Sequence, residues 1–342
     1  MSLLEQGAKA AITQCLETTP QDRVVIISDE KTFSVGNALE IAAKRITPNV
    51  KRLVIENYIK RPAQELPQKL KDEIEQFKPT ISIYAAQGQP GELPDFRRPL
   101  VDFLYKDLHC RHAHMIGISE QLMEDGMNKD YDLVYKVTNR VCDLCRQAKQ
   151  LVVTDPFGTN ATFDLSPDLA WIPSHGKIKS NQKWQNLPSG ETFTSPASAN
   201  GIFVAWVLGD DLSEKHGELK TPLTVSLKDG YITLVSCDDA NIKKDFDDYI
   251  HQYPDGNRAG ELGVGTLVGL DHFIGNLLQD EKFPGVHVAF GHPYPDETGA
   301  KWDAPSHIDI IAKQVTINLI MRDTGEEKVI MRDGIYISEI LQ

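Results

Sequence analysis

Residues 23–29 read RVVIISD, an apolar run of strand length that ends on a carboxylate. Downstream of it one alternation repeats. Residues 31–46 have helical spacing, and VKRLVIENY (50–58) holds a second strand. A helix covers about 63–77, with Pro62 just ahead of it and Pro67 marking a second possible start. TISIYAA (80–86) is a third strand, residues 94–109 read as helical, MIGIS (115–119) as a fourth strand, and 128–149 as a long helix. Upstream, Leu3, Leu4, Ala8, Ile12 and Cys15 fall on one face of an amphipathic helix over 1–18. Strands alternating with helices imply an α/β layer with a mainly parallel sheet.

Such a layer invites a nucleotide, but its motifs are missing. No GxGxxG follows the first strand, and no GxxxxGK[ST] occurs. Cys142 and Cys145 form a CxxC, but no second pair lies at zinc-finger spacing and the surrounding pattern is helical, so they read as small helix residues. His109, Cys110, His112 and His114 lie together in LHCRHAHMIG, with no matching partners evident in that half. The character of the chain changes near 148–152. From LVVTDPFGTNATFDL onward it is rich in strands, and the Asp229-Gly230 pair in VSLKDGYITLV signals a tight hairpin. Residues 240–252 read as a helix. The expectation is an α/β amino-terminal domain over 1–149 and an α+β, mostly antiparallel domain over 150–342.

Composition narrows the function. The 342 residues are 41% hydrophobic, enough for proper cores, and carry a formal charge of −13 with a pI near 5.2. That charge argues against non-specific binding to nucleic acid or an anionic membrane. No basic stretch followed by an apolar core opens the chain, and no apolar run approaches the ~18–20 residues that span a bilayer. Five cysteines, an odd number, fit a reducing compartment, with cytoplasm as the expectation.

Chemistry concentrates in residues 260–309, GELGVGTLVGLDHFIGNLLQDEKFPGVHVAFGHPYPDETGAKWDAPSHID. His307 and Asp309, two apart on an apparent strand, share a face and make a natural pair for a divalent ion. His287 alternates with Val286, Val288 and Phe290 in another strand. Tyr294 sits on a loop between two prolines. Glu261 heads an apolar run with three glycines, Gly260, Gly263 and Gly265, which let the backbone crowd a ligand or another strand. Upstream, Glu191 leaves the turn in NLPSGETFTSP. Each of these has an ordinary reading by itself; as a set they suggest a metal site.

The set resembles the aminopeptidase T and aminopeptidase S family of thermophilic metalloproteases. The resembling segments are LPSGETFTSP with Glu191, the glycine-containing run after Glu261, VHVAFG with His287, Tyr294 seven residues on, and the closing His307-x-Asp309. DPFGTNATFDL is similar to a further strand of that family. The resemblance implies that Glu191, Glu261, His287, Tyr294, His307 and Asp309 hold two divalent ions, of Zn, Co, Mn or Mg. It implies a metallo-aminopeptidase in which Glu191, Glu261 or Tyr294 acts on the proton or the oxyanion, with a short peptide or small amide as substrate and a homodimer as the assembly. Two departures touch the substrate: only twelve residues separate Tyr294 from His307, and IGNLLQDEKFPG replaces an acidic run of the family. The alternatives are a specialised-pathway amide hydrolase and a mononuclear Fe(II) enzyme similar to 2,5-dihydroxypyridine dioxygenase. That dioxygenase ends in the same His-x-Asp but carries a His where this chain has Glu261.

Overall fold

The computed structural model describes residues 1–179, 183–209 and 211–342. The chain forms two compact units, Met1–Asp132 with Gly176–Ser189, and Leu133–His175 with Gly190–Gln342.

The first unit is built on a five-stranded parallel sheet in the order Val50–Val54, Val24–Ser28, Ile81–Ala85, Arg111–His114, Trp184–Asn186. RVVIISD supplies a fully buried strand, as its apolar run requires. Pro67 is the N-cap of the Gln68–Phe77 helix, so the later of the two prolines starts it. The fourth strand differs from the sequence reading. It is RHAH rather than MIGIS, because polar residues in it find buried partners. Ser82 Oγ lies 2.8 Å from His112 Nδ1, and Arg111 reaches Asp22 at 2.6 Å. Burial holds both imidazoles neutral, pushing His112 down to about 3 and His114 well below its ordinary value, where His112 and Arg97 add to the effect. A second buried network ties the ends of this sheet: Arg61 meets Asp29 and Glu92, each at 2.5 Å, with all three nearly solvent-free.

The second unit carries a thirteen-stranded antiparallel sheet. Through the functional region its order is Ser198–Leu208, His307–Ile311, Gly285–Gly291, Ala259–Gly265, Glu191–Thr194, Ile172–Ser174. The hairpin forms where Asp-Gly marks it, between Glu218–Lys228 and Tyr231–Ser236, with Asp229 and Gly230 both at positive φ (52° and 86°). The two faces of the central strands differ. Leu262, Val264, Val286, Val288, Phe290, Ile308 and Ile310 point into one hydrophobic core. The alternate residues, at period two, face the other way and include every strand-borne member of the proposed donor set. Cys142 and Cys145 lie in that core on the Tyr131–Gln147 helix, their thiols pushed up chiefly by burial, so the CxxC packs. No helix among the described residues is long and apolar enough to cross a membrane.

Candidate metal centre

Strand register assembles the centre. Glu261, Ala289 and Asp309 stand in one cross-strand row, Phe193, Gly263 and His287 in the next, and Gly291 pairs with His307. Directly paired residues point to the same face, so Glu261, His287, His307 and Asp309 converge. Glu191 joins them from the neighbouring strand, opposite Gly265. Glycine and alanine fill the positions between, leaving space on that face. At Gly263 the space is already taken: a Cβ there would lie 1.9 Å from His287 Nε2, so the imidazole lies across the bare glycine backbone.

The distances fall into two kinds. Glu191 Oε2 and Glu261 Oε1 lie 3.4 and 3.5 Å from His287 Nε2. Glu261 Oε2 and Asp309 Oδ2 lie 3.6 and 3.5 Å from His307 Nε2. Glu261 thus stands between two histidines, one on each carboxylate oxygen. These spacings exceed an ordinary hydrogen bond of about 2.7–3.2 Å. They approach the ~3.0–3.4 Å between two donors that each lie about 2.1 Å from a shared ion. Glu191, Glu261 and His287 place one donor atom each within 4.8 Å of one another. The other kind is a direct ion pair: Lys282 Nζ lies 3.1 Å from Glu191 Oε1 and also contacts Glu281, with no solvent exposure at all.

Burial makes these charges depend on one another. Glu191, Glu261, His287 and Asp309 are each less than a tenth exposed. Burial, with the Asp309 charge, lifts the Glu261 carboxyl above its ordinary value despite the two histidines. Burial opposes charge on His307 too, but Asp309 and Glu261 outweigh it and raise His307 to about 9. His287 is raised in the same way, burial being outweighed by Glu261, Glu191 and Asp309. Asp309 is lowered, because His307, His287 and Lys282 outweigh its burial. Without an ion, protons on the histidines balance the carboxylates. Two polar atoms still have no partner, Asp309 Oδ1 and His287 Nδ1. An orphaned carboxylate oxygen among wide-spaced donors fits a metal ion.

Tyr294 is beside the cluster, at φ 50° and ψ 61° between its two prolines. Its ring meets that of His307 edge-on at 5.1 Å and lies 5.6 Å from Phe193. Burial, then the Glu261, Asp309 and Glu191 charges, hold its hydroxyl well above the ordinary value, so it stays a neutral phenol. All six residues singled out in the sequence therefore meet at one place. Sequence reasoning missed Lys282. QDEK reads as a solvated helix end, and nothing local marks a lysine with no exposure.

Fold and site together define a two-unit protein with an α/β sheet layer and an antiparallel unit carrying a buried donor cluster able to hold a metal. The family model described as NicX, 2,5-dihydroxypyridine 5,6-dioxygenase, matches residues 5–265, and the chain belongs to that family. The matched stretch contains Glu191 and Glu261 and ends before His287, Tyr294, His307 and Asp309. Among solved structures, 2,5-dihydroxypyridine dioxygenase from Pseudomonas putida KT2440 aligns over 99% of this chain and 98% of its own, with a TM-score of 0.67 at 16% identity. AmpT from Thermus thermophilus aligns over 98% and 99%, with a TM-score of 0.66 at 15% identity. At such identities both establish the fold alone. No curated protein sequence matches the chain. The expectation of a metallo-aminopeptidase, and with it a hydrolase or protease, is corrected: AmpT shares the fold, but the family is that of a dioxygenase. The reason lies in the donors, since carboxylates and imidazoles at these spacings serve hydrolytic and oxidative metals alike.

Proposed function

We propose that the protein is an Fe(II)-dependent dioxygenase acting on a hydroxylated nitrogen heteroaromatic of the 2,5-dihydroxypyridine type. Membership of the dioxygenase family carries this reading. The donor set is of the right kind, because imidazoles and carboxylates around one space are ligands that ferrous iron takes, with Glu261 standing where the dioxygenase carries a histidine. The residues that would hold the ion are grouped around Glu261, with His307 and Asp309 on one side and His287 and Glu191 on the other. Ferrous iron held there would supply the redox chemistry by which oxygen reacts with an electron-rich ring.

The chain's own residues supply position and proton control. His307 Nδ1 lies 3.0 Å from the His292 carbonyl, which fixes its tautomer and turns Nε2 toward the cluster. Phe193 and Tyr294 are partly exposed rings flanking the donors, a wall suited to a flat aromatic substrate. The neutral Tyr294 hydroxyl donates a hydrogen bond to a ring oxygen or nitrogen presented there.

The test is oxygen uptake by metal-stripped protein reloaded anaerobically with Fe(II) and given 2,5-dihydroxypyridine. One oxygen consumed per substrate lost is the expected result. Folded, iron-loaded protein that consumes no oxygen with this or other hydroxylated pyridines would overturn the assignment.

A further inference from the structure

The second unit holds a cavity of about 500 Å³ that none of the proposed metal donors lines. Its walls come from the Asp211–His216 helix, the Ala240–Ile250 helix and the turn after it, and the segment just before His307. Small-molecule sites run from about 300 to 1,000 Å³, so the volume suits one. The charged side chains lining it are all carboxylates, Asp211, Asp245 and Asp248. Cations outside the lining reach two of them. Lys215 Nζ and His216 Nε2 meet Asp245 Oδ2 at 2.6 and 2.8 Å, and Lys244 pairs with Asp248. Asp211 has no cation partner among the described residues.

Ser306 is an independent sign of a ligand. It lines the same cavity, is 5% exposed, and its Oγ has no hydrogen-bond partner. A buried hydroxyl left without a partner is unfavourable, and a ligand that bonds it relieves that cost. Two tyrosines complete the walls. The Tyr249 hydroxyl donates to the His307 carbonyl at 2.9 Å, which fixes its ring, and Tyr253 presents a ring that is 46% exposed.

Carboxylates on every charged wall exclude an anion. A single metal ion does not fit either. Asp211, Asp245 and Asp248 do not bring one oxygen each within 4.8 Å of one another, as the donors of Glu191, Glu261 and His287 do. We propose that the cavity is a second ligand site, taking an aliphatic diammonium ion. Its two charges reach carboxylates on the two helices, the Ser306 hydroxyl accepts from one of the nitrogens, and the methylenes between them lie against Tyr249 and Tyr253. Ammonium groups supply the N–H donors that carboxylates accept, and tyrosine faces attract the cation and its chain. Negative charge gathered in a concave surface also concentrates cations there. The proposal stands apart from which metal the donor cluster holds and which reaction it supports.

The test is calorimetry and ligand-observed NMR on the full-length protein, with putrescine, butylammonium and Mg(II) as probes. Putrescine binds saturably, one per chain. Butylammonium, with the same chain and one charge, binds about tenfold more weakly. Asp211 and Tyr253 are exposed, so D211N and Y253A fold normally, and each weakens putrescine about tenfold. S306A also weakens it, while the ligand-free protein keeps or gains stability in urea because an unsatisfied hydroxyl is gone. No saturable binding of putrescine at millimolar concentration, equal binding of butylammonium, unchanged binding in D211N and Y253A, or displacement by equimolar Mg(II) would each overturn the proposal. Loss of binding in E261Q with retention in D211N would place the cation in the donor cluster and overturn it as well.

Discussion

Gly263→Ala tests whether the bare backbone under His287 is part of the centre. The added Cβ would lie 1.9 Å from His287 Nε2, 2.1 Å from Cε1 and 2.7 Å from Cδ2. Non-bonded atoms relax near about 3.5 Å, so the ring must retreat by about 1.5 Å. Its Nε2 would leave the two carboxylate oxygens it now faces at 3.4 and 3.5 Å. Overpacking of this kind costs about 1–3 kcal/mol. The better strand propensity of alanine returns roughly 0.5–1 kcal/mol, so urea denaturation of the ion-free protein should show a net loss of about 1–2 kcal/mol. Displacing a residue that supports a metal ligand weakens metal binding about 10–100-fold, read by Mn(II) titration. A double-mutant cycle isolates the cause: on a His287→Ala background the new methyl has room, and the cost of Gly263→Ala should vanish. An equal cost on both backgrounds, or unchanged Mn(II) affinity in the single mutant, would refute the reasoning.

Because His307 is held up to about 9, it is charged in the ion-free protein at neutral pH, and a metal must displace its proton. Apparent Mn(II) affinity should therefore rise about tenfold per pH unit toward pH 9 and flatten above it; affinity independent of pH between 7 and 8.5 would contradict this. The same raised value means that His307 stabilises the ion-free fold fully below its ordinary value of 6.5, and that this contribution fades as pH rises through about 9. Thermal melts of the stripped protein should fall across that window, and the fall should shrink in H307Q. Asp280 accepts the backbone N–H groups of Ile274, Gly275 and Asn276, so D280A should cost about 2–3 kcal/mol. It should also speed hydrogen exchange at those three amides before any others in its unit. In the first unit R61A leaves Asp29 and Glu92 buried without their cation, a loss of about 3–5 kcal/mol by chemical denaturation. An R61A protein of wild-type stability would mean that water reaches the network.

The parts of the structure legible in the sequence are those where side-chain period and burial agree. RVVIISD is apolar through its strand up to Ser28 and wholly buried there, and Asp229-Gly230 forms the turn its dihedral needs demand. His307 and Asp309 share a face because a strand has period two. The glycines on either side of Glu261 are readable as places of close approach. The structure supplies what approaches: the Gly291 carbonyl at Gly260, the His287 ring at Gly263 and the Phe283 carbonyl at Gly265. Legibility fails where polar residues are buried with partners far along the chain. RHAH forms a strand because Ser82 and Asp22 receive its side chains, and no local pattern announces that. Trp184–Asn186 is three residues long and too polar to read as a strand, yet it pairs in parallel with Arg111–His114.

Lys282 shows why the chemistry was harder to read than the fold. The six side chains were singled out as a set through the family resemblance, and the strand register brings them together. The cation was not singled out, because a carboxylate is satisfied by whichever positive charge stands beside it. A lysine 91 positions after Glu191 in sequence, buried beside it, supplies such a charge. Counting donors alone favoured a two-ion hydrolase, whereas the family is that of a dioxygenase.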